Sequence, residues 1–380
     1  MRNYRSLALV AAALSAAVLA AGCSGGSSGS RGAGRATNWS KVTSVAQGGG
    51  MKALIAAAKK EGQLNVIGLP AGWANYGTIM RDFTAKYGIK INDASPADSS
   101  QAEIAAMVQL RGRSTAPDVV DMTTGSAIKA SQMKLLAPYR VAEWADIPAA
   151  EKSADGTWYG DYGGYLAIGY DSAKVKVPPT TIKDLARPIY KHEVGIHGNP
   201  ARASTAFAAV YAAALANGGS FGNIEPGIAF FARLKKKGNY LPVTAGPATA
   251  QSGQTPIVLW WDYLLASEVA ATDPSFKIVI PSDVSYAAYN DQAISANAPH
   301  PAAARLWEEY LYSVTGQNLF LQGKVRPVEL PTMVANGTVD QAASAALPPT
   351  PFTPLRFPTP AQQAAAEALV ARQWPAKVAR

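Results

Sequence analysis

The feature that most constrains this chain is a repeated switch of hydrophobic period between residues 51 and 330, from short apolar runs to stripes spaced by three and four residues. Residues 64–67 (Leu-Asn-Val-Ile) read as a strand and 68–75 as its loop. Tyr76, Ile79, Met80, Phe83 and Tyr87 then mark one face of a helix, which Gly88 stops. Further strands are predicted at 89–91, 119–122, 165–170, 194–197, 257–261, 277–280 and 292–295. Helices fall between them, with Ser99 or Ser100 and Ser204 as N-caps, Pro226 in a first turn and Gly218-Gly219 as a stop. The stretch 158–164, rich in Gly, Tyr and Asp, reads as a turn before the strand at 165. An Ala-rich helix opens at Thr359-Pro360 and ends near Trp374-Pro375. Strands alternating with helices pack as α/β layers. A chain of 380 residues is too long for one core, which predicts two lobes.

The first residues point out of the cytoplasm. Arg2 and Arg5 lead an apolar run, 6–21, that suits a signal sequence and is short for a bilayer span of roughly 18 residues or more. The run ends in Leu19-Ala20-Ala21-Gly22-Cys23, which resembles a bacterial lipobox, with Ala20 where Leu is commoner. Residues 1–22 are therefore expected to be a lipoprotein signal peptide, and Cys23 the lipidated residue that anchors the chain to the membrane. The alternative is a free Cys after an ordinary cleaved signal. Cys23 is the only cysteine, which excludes a disulfide within the chain. Residues 23–50, with Gly25-Gly26-Ser27-Ser28-Gly29-Ser30, are expected to form a flexible tether. The Gly-x-Ser-x-Gly spacing there lacks the strand and helix of a nucleophile elbow. Net charge is +9, and the one basic cluster, Lys235-Lys236-Lys237, closes a helix, so no nucleic-acid partner is expected.

In open α/β sheets a ligand sits beyond the carboxyl ends of the strands. Four loops qualify: 68–75, 123–126, 198–205 and 261–263. Trp73 and Tyr76 offer aromatic faces for stacking or for a cation, or they pack in the core. Thr123, Thr124 and Ser126 put hydroxyls and amides at a helix start, suited to an anion or polar group, or they cap the helix. Asn199, Arg202, Ser204 and Thr205 form a second helix start with a guanidinium fit for carboxylate or phosphate; the alternative is a plain surface Arg. Residues 260–263 are the densest aromatic-acidic cluster. Alternation puts Trp260 and Asp262 on one face, Trp261 and Tyr263 on the other. Trp261, Asp262 and Tyr263 suit an amine, or else one Trp is core and Asp262 a cap. His192, His197 and His300 lack metal-ligand spacing. No catalytic cysteine, Walker loop or paired-His motif is present, so no enzyme chemistry, cofactor or metal centre is expected.

Three segments carry a resemblance. Pro301-Ala302-Ala303-Ala304-Arg305-Leu306-Trp307, followed by Ser313, Gly316-Gln317 and Arg326-Pro327, resembles the extracellular solute-binding proteins of ABC importers. The similar branch includes ferric-iron, polyamine, thiamine and phosphonate binders. Residues 158–171 with 177–185, and residues 198–205, add to it. The resemblance implies a two-lobed, type II periplasmic-binding-protein-like α/β fold with the ligand in the cleft between lobes. One lobe would be 51–164 plus 296–380 and the other 165–295, with crossovers near 165–170 and 286–295. Tyr162 and Tyr289, beside those crossovers, become cleft candidates. It further implies a monomer outside the cytoplasm that hands a small ligand to an ABC permease and ATPase. Ferric relatives use adjacent tyrosines where this chain has Trp260-Trp261-Asp262-Tyr263, a departure that weighs against iron. The expected solute is a polyamine-like cation held by Asp262 and aromatics. The alternative is a phosphonate or other anion held by Arg202 and the helix starts; an alternative of another class is an enzyme or sensor built on the same fold.

Overall fold

The computed structural model describes residues 37–350 and 358–379. The expected signal peptide, Cys23 and the first part of the expected tether lie outside the described residues. The last part of that tether is folded instead. Trp39–Lys41 forms a short turn capped by Asn38, Trp39 and Val42 are buried in the main core, and Arg305 Nε donates to the Val42 carbonyl at 2.8 Å. The tether reading fails there because these two side chains bury apolar surface against the body.

The strands are β1 (Gln63–Val66), β2 (Lys90–Asp93), β3 (Val119–Thr123), β4 (Leu136–Ala137), β5 (Tyr159–Asp171), β6 (Val194–Ile196), β7 (Tyr240–Thr244), β8 (Ile257–Trp261), β9 (Phe276–Val279), β10 (Ala287–Ser295) and β11 (Arg326–Pro327). The longer helices are α1 (Met51–Glu61), α2 (Tyr76–Tyr87), α3 (Ser100–Gln109), α4 (Thr124–Gln132), α5 (Ser204–Ala216), α6 (Glu225–Lys237), α7 (Pro301–Leu311), α8 (Val314–Gln322) and α9 (Pro360–Trp374). β1 and β2 pair in parallel. The other strands follow the path β3-β10-β5-β8-β6-β7, with β4 on β10, and with β9 and β11 on β5.

β5 joins the two lobes. Between Tyr159 and Tyr165 it pairs with β10 and β11; from Leu166 to Asp171 it pairs with β8 and β9. Helices α1, α2, α7 and α8 pack around the first half, and α5 and α6 cover the second. The turn expected at 158–164 is therefore wrong: residues 159–164 are buried strand. A Cβ on Gly163 would run into the Ala288 carbonyl and the Tyr289 ring, and one on Gly164 into the Asp262 carboxylate and Tyr263. These glycines mark close approach, not a bend. Ser204 is not a cap either. Ala203 holds that position and α5 starts at Ser204, whereas Ser99 does cap α3, its Oγ accepting from the Ala102 amide at 3.4 Å. The edge strand β7 was not anticipated; its residues are half-buried or exposed and show no apolar run.

Where β5 passes between lobes, one carboxylate ties the crossing. Asp262, just after β8, is fully buried. One of its oxygens accepts the Tyr165 amide at 2.9 Å, and the other is ion-paired with Arg326 on β11. Arg326 also donates to the Pro348 carbonyl at 2.7 Å and lies 4.9 Å from the Tyr165 ring centroid. Removing one member leaves a buried charge alone, so Arg326→Ala should cost roughly 3–5 kcal/mol, read as a lowered melting temperature. The double change Asp262→Leu with Arg326→Met should recover most of it; a double variant as unstable as the single would refute the pair as the cause.

Candidate functional site

A cleft of about 910 Å³ opens between the lobes. Loops and helix starts beyond β1, β3, β6 and β8 form its walls, and the crossing strand β5 with its neighbour β10 forms its floor. On the first-lobe side stand Trp73, Ser99, Ser100, Thr123, Thr124 and Trp158. Opposite them are Arg202, Ser204, Thr205, Trp261 and Tyr263. Tyr162, Tyr289 and Asn290 line the floor, and Gln363 and Glu367 of α9 reach the mouth. The arrangement follows the rule that ligands sit beyond strand carboxyl ends.

Ten of the residues proposed from sequence meet there: Trp73, Thr123, Thr124, Tyr162, Arg202, Ser204, Thr205, Trp261, Tyr263 and Tyr289. Four others do not line the cleft. Asp262 is consumed by Arg326 and the Tyr165 amide, so it is not available to a ligand amine. Tyr76 is fully buried beneath the floor. Ser126 accepts from the Thr123 hydroxyl at 3.2 Å and from Gln101 at 3.4 Å, a local role at the helix start. Asn199 accepts the Ala201 amide at 2.9 Å and shapes the turn before α5. The expected alternation of 260–263 holds in its outcome. Trp260 and Asp262 point inward, while Trp261 and Tyr263 face the cleft. Tyr286 stacks between Tyr211, at 5.7 Å, and Trp261, at 6.2 Å, extending an aromatic wall.

The acidic residues of the floor carried no sequence signal. Asp121 and Glu151 lie far apart in the chain, with no motif around either, yet both line the cleft. Each has one buried oxygen without a hydrogen-bond partner among the described residues. Burial pushes the Glu151 carboxyl up to about 7. Burial, then the nearby Asp161 and Glu103 carboxyls, raise Asp121 well above the ordinary range. Beneath them the Tyr76 hydroxyl lies 2.8 Å from Asp121 Oδ2 and 2.9 Å from Asp161 Oδ2, while the Gln292 amide donates to Tyr76 at 2.9 Å. One hydroxyl proton serves one carboxyl at a time, so a second proton belongs on this pair; burial holds Asp161 up at about 7. Asp291, also fully buried, is raised well up by burial and by Glu151. The ion pairs among the described residues lie elsewhere. Buried carboxyls without a cation stay protonated or draw one in. Arg202 is the one cationic side chain among the described residues of the cleft wall; it is exposed and has no ion-pair or hydrogen-bond partner among the described residues. No group of three or more His, Cys, Asp or Glu among the described residues is placed to hold a metal ion.

Two α/β lobes crossed by shared strands, with an aromatic and polar cleft between them, define a solute-binding protein. The chain belongs to the bacterial extracellular solute-binding protein family, whose match spans residues 114–349. No curated protein matches it in sequence. Its fold is similar to that of the periplasmic binding protein AfuA from Actinobacillus pleuropneumoniae, solved with fructose-6-phosphate, at 17% identity over 83% of this chain and 98% of that one, with a TM-score of 0.64. The spermidine/putrescine transporter substrate-binding protein PotD from Streptococcus pneumoniae is similar at 14% identity over 82% and 98%, with a TM-score of 0.62. Iron-bound HitA from Pseudomonas aeruginosa is similar at 17% identity over 82% and 98%, with a TM-score of 0.57. At these identities the likeness establishes the fold.

The raised carboxyls make a pH prediction. Asp161 and Glu151 hold protons up to about 7 in the folded state and release them near 4 when unfolded. The folded form thus binds more protons between those values, and its stability falls as pH rises through 7. His300, raised by its hydrogen bond to Asp118, acts in the same direction. The solute-free protein should melt at a higher temperature at pH 5 than at pH 8. A flat or rising profile across that window would show that these groups ionise normally.

Proposed function

We propose that this chain is the capture component of an ABC importer and that its solute is a polyamine-like organic cation. It would hold the solute between its lobes and deliver it to the membrane permease, without chemical conversion. The observation that carries the cation is the pair Asp121 and Glu151. Both residues line a cleft with the aromatic side chains Trp73, Trp158, Trp261, Tyr162 and Tyr263, and each has one buried oxygen without a hydrogen-bond partner among the described residues. Carboxylates set among aromatic faces suit ammonium groups, through ion pairing and cation–π attraction. This replaces Asp262 as the amine partner. The spermidine/putrescine protein PotD shares the fold and supports the class. We further propose that the chain works as a monomer outside the cytoplasm, held to the membrane through Cys23. No helix among the described residues is long and apolar enough to cross a membrane.

A second reading has its own observation. Arg202, the start of α5 and the start of α4 meet in the same cleft, a set suited to a phosphonate or sugar phosphate. AfuA, solved with fructose-6-phosphate, shares the fold. The test is a thermal-shift panel of polyamines, phosphonates and sugar phosphates, followed by titration calorimetry. A ligand at 100 times its Kd adds about 2.7 kcal/mol of stability. Spermidine should raise the melting temperature, and its affinity should grow from pH 6 to pH 8 as Glu151 ionises. Asp121→Asn and Glu151→Gln should each weaken it roughly tenfold or more, while Arg202→Ala should not. A phosphorylated ligand that shifts melting, and loses that shift in Arg202→Ala, would overturn the cation reading.

A further inference from the structure

The helix α9 begins beyond residue 349, where the family match ends, yet it reaches the solute cleft. It is anchored on the second lobe. Ala366, Val370 and Trp374 are buried there, with Trp374 set against Phe231 at 5.4 Å and Tyr240 at 6.2 Å. Gln373 donates to Glu225 of α6 at 3.0 Å, and the Tyr211 hydroxyl of α5 lies 3.3 Å from the Gln362 carbonyl. Its first turns then meet α4 of the first lobe: a Cβ built on Gly125 would lie 3.5 Å from Gln363 Nε2. The helix therefore touches both lobes at the mouth of the cleft. On the cleft side it presents Gln363 and Glu367, joined by a 3.0 Å hydrogen bond from the amide to the carboxylate. Glu367 is exposed and makes no ion pair among the described residues, and its charge adds to burial in raising the Tyr211 hydroxyl to about 12. Asp121 lies on β3 and Glu151 on a short turn, Ala149–Glu151, ahead of β5, so acidic groups line the cleft on α9 as well as on the first lobe.

We infer that α9 is a third wall which this chain adds to the two-lobed site, and that Glu367 is its solute-facing residue, pairing with the outer ammonium of a solute charged at both ends. The assignment of Glu367 rests on the cation reading above; the bridging role of α9 does not. A single-ended amine would use the floor carboxylates alone. A di- or triamine would span floor and mouth, so Glu367 selects for length and for a second charge.

The test has two arms. In the first, Gly125→Cys and Gln363→Cys are placed in a Cys23→Ser background, and the solute-free protein is treated with a short bifunctional thiol reagent. Cross-linked peptides joining α4 to α9 are expected; their absence, with both thiols reactive, would overturn the bridge. In the second, calorimetry compares spermidine with butylamine on the wild-type chain and on Glu367→Gln. The expected result is a loss of about fivefold for spermidine, as for a partly exposed charge pair, and no change for butylamine. Equal losses for both amines, or none, would overturn the role of Glu367. If the wild-type chain binds neither amine, the cation reading fails and takes the Glu367 assignment with it, while the cross-link still decides the bridge.

Discussion

The structure depends on how one buried carboxylate is neutralised. Asp262 follows β8 on one lobe, Arg326 lies on β11 against the other, and the Tyr165 amide between them belongs to the strand that crosses. An unpaired carboxylate at full burial would cost several kcal/mol, so the two lobes cannot drift apart at this point without exposing a charge to an apolar surrounding. The same tie explains why Gly164 has no side chain: the Asp262 carboxylate occupies the space a Cβ would need. The crossing thereby keeps a fixed register, and the walls on either side face each other across a defined gap.

Below the cleft the opposite choice has been made. Asp121, Asp161, Glu151 and Asp291 are buried without a basic partner among the described residues, and their charge is suppressed by protonation. Tyr76 and Gln292 hold part of this floor in shape, with hydrogen bonds to Asp121 and Asp161. It is destabilising at neutral pH and receptive to a positive group for the same reason. Stability forgone in the empty state becomes available as binding energy when a cation arrives, which suits a protein that must close on its solute and later release it.

Much of the fold was legible in the sequence. The 3–4 periodicity of Tyr76 to Tyr87 and the stop at Gly88 mark α2, and the apolar run at 257–261 marks β8. The strand-end rule found most of the aromatic and hydroxyl wall, because each such residue follows its strand directly. The misses have physical causes. The glycines of β5 look like a turn when the side chains that crowd them, Tyr289, Tyr263 and Asp262, are distant in sequence. Asp262 looks like a ligand group when its partner is 64 residues away. Glu151 looks like an ordinary surface acid, and Asp121, although inside the apolar run 119–122, gives no local sign that it lines a cleft.

What the sequence determined by itself was local and periodic: the alternation of strands and helices, the caps and stops, the alternating faces of residues 260–263, and the motif around Pro301 to Pro327. These depend on neighbours within a turn or two of chain. Only the tertiary structure decided which polar groups are free. It paired Asp262 with Arg326, left Asp121 and Glu151 without a cation among the described residues, and carried α9 from the second lobe to the first. Electrostatic character is a property of surroundings, because the charge a carboxyl holds follows from desolvation and from neighbours brought together across hundreds of residues.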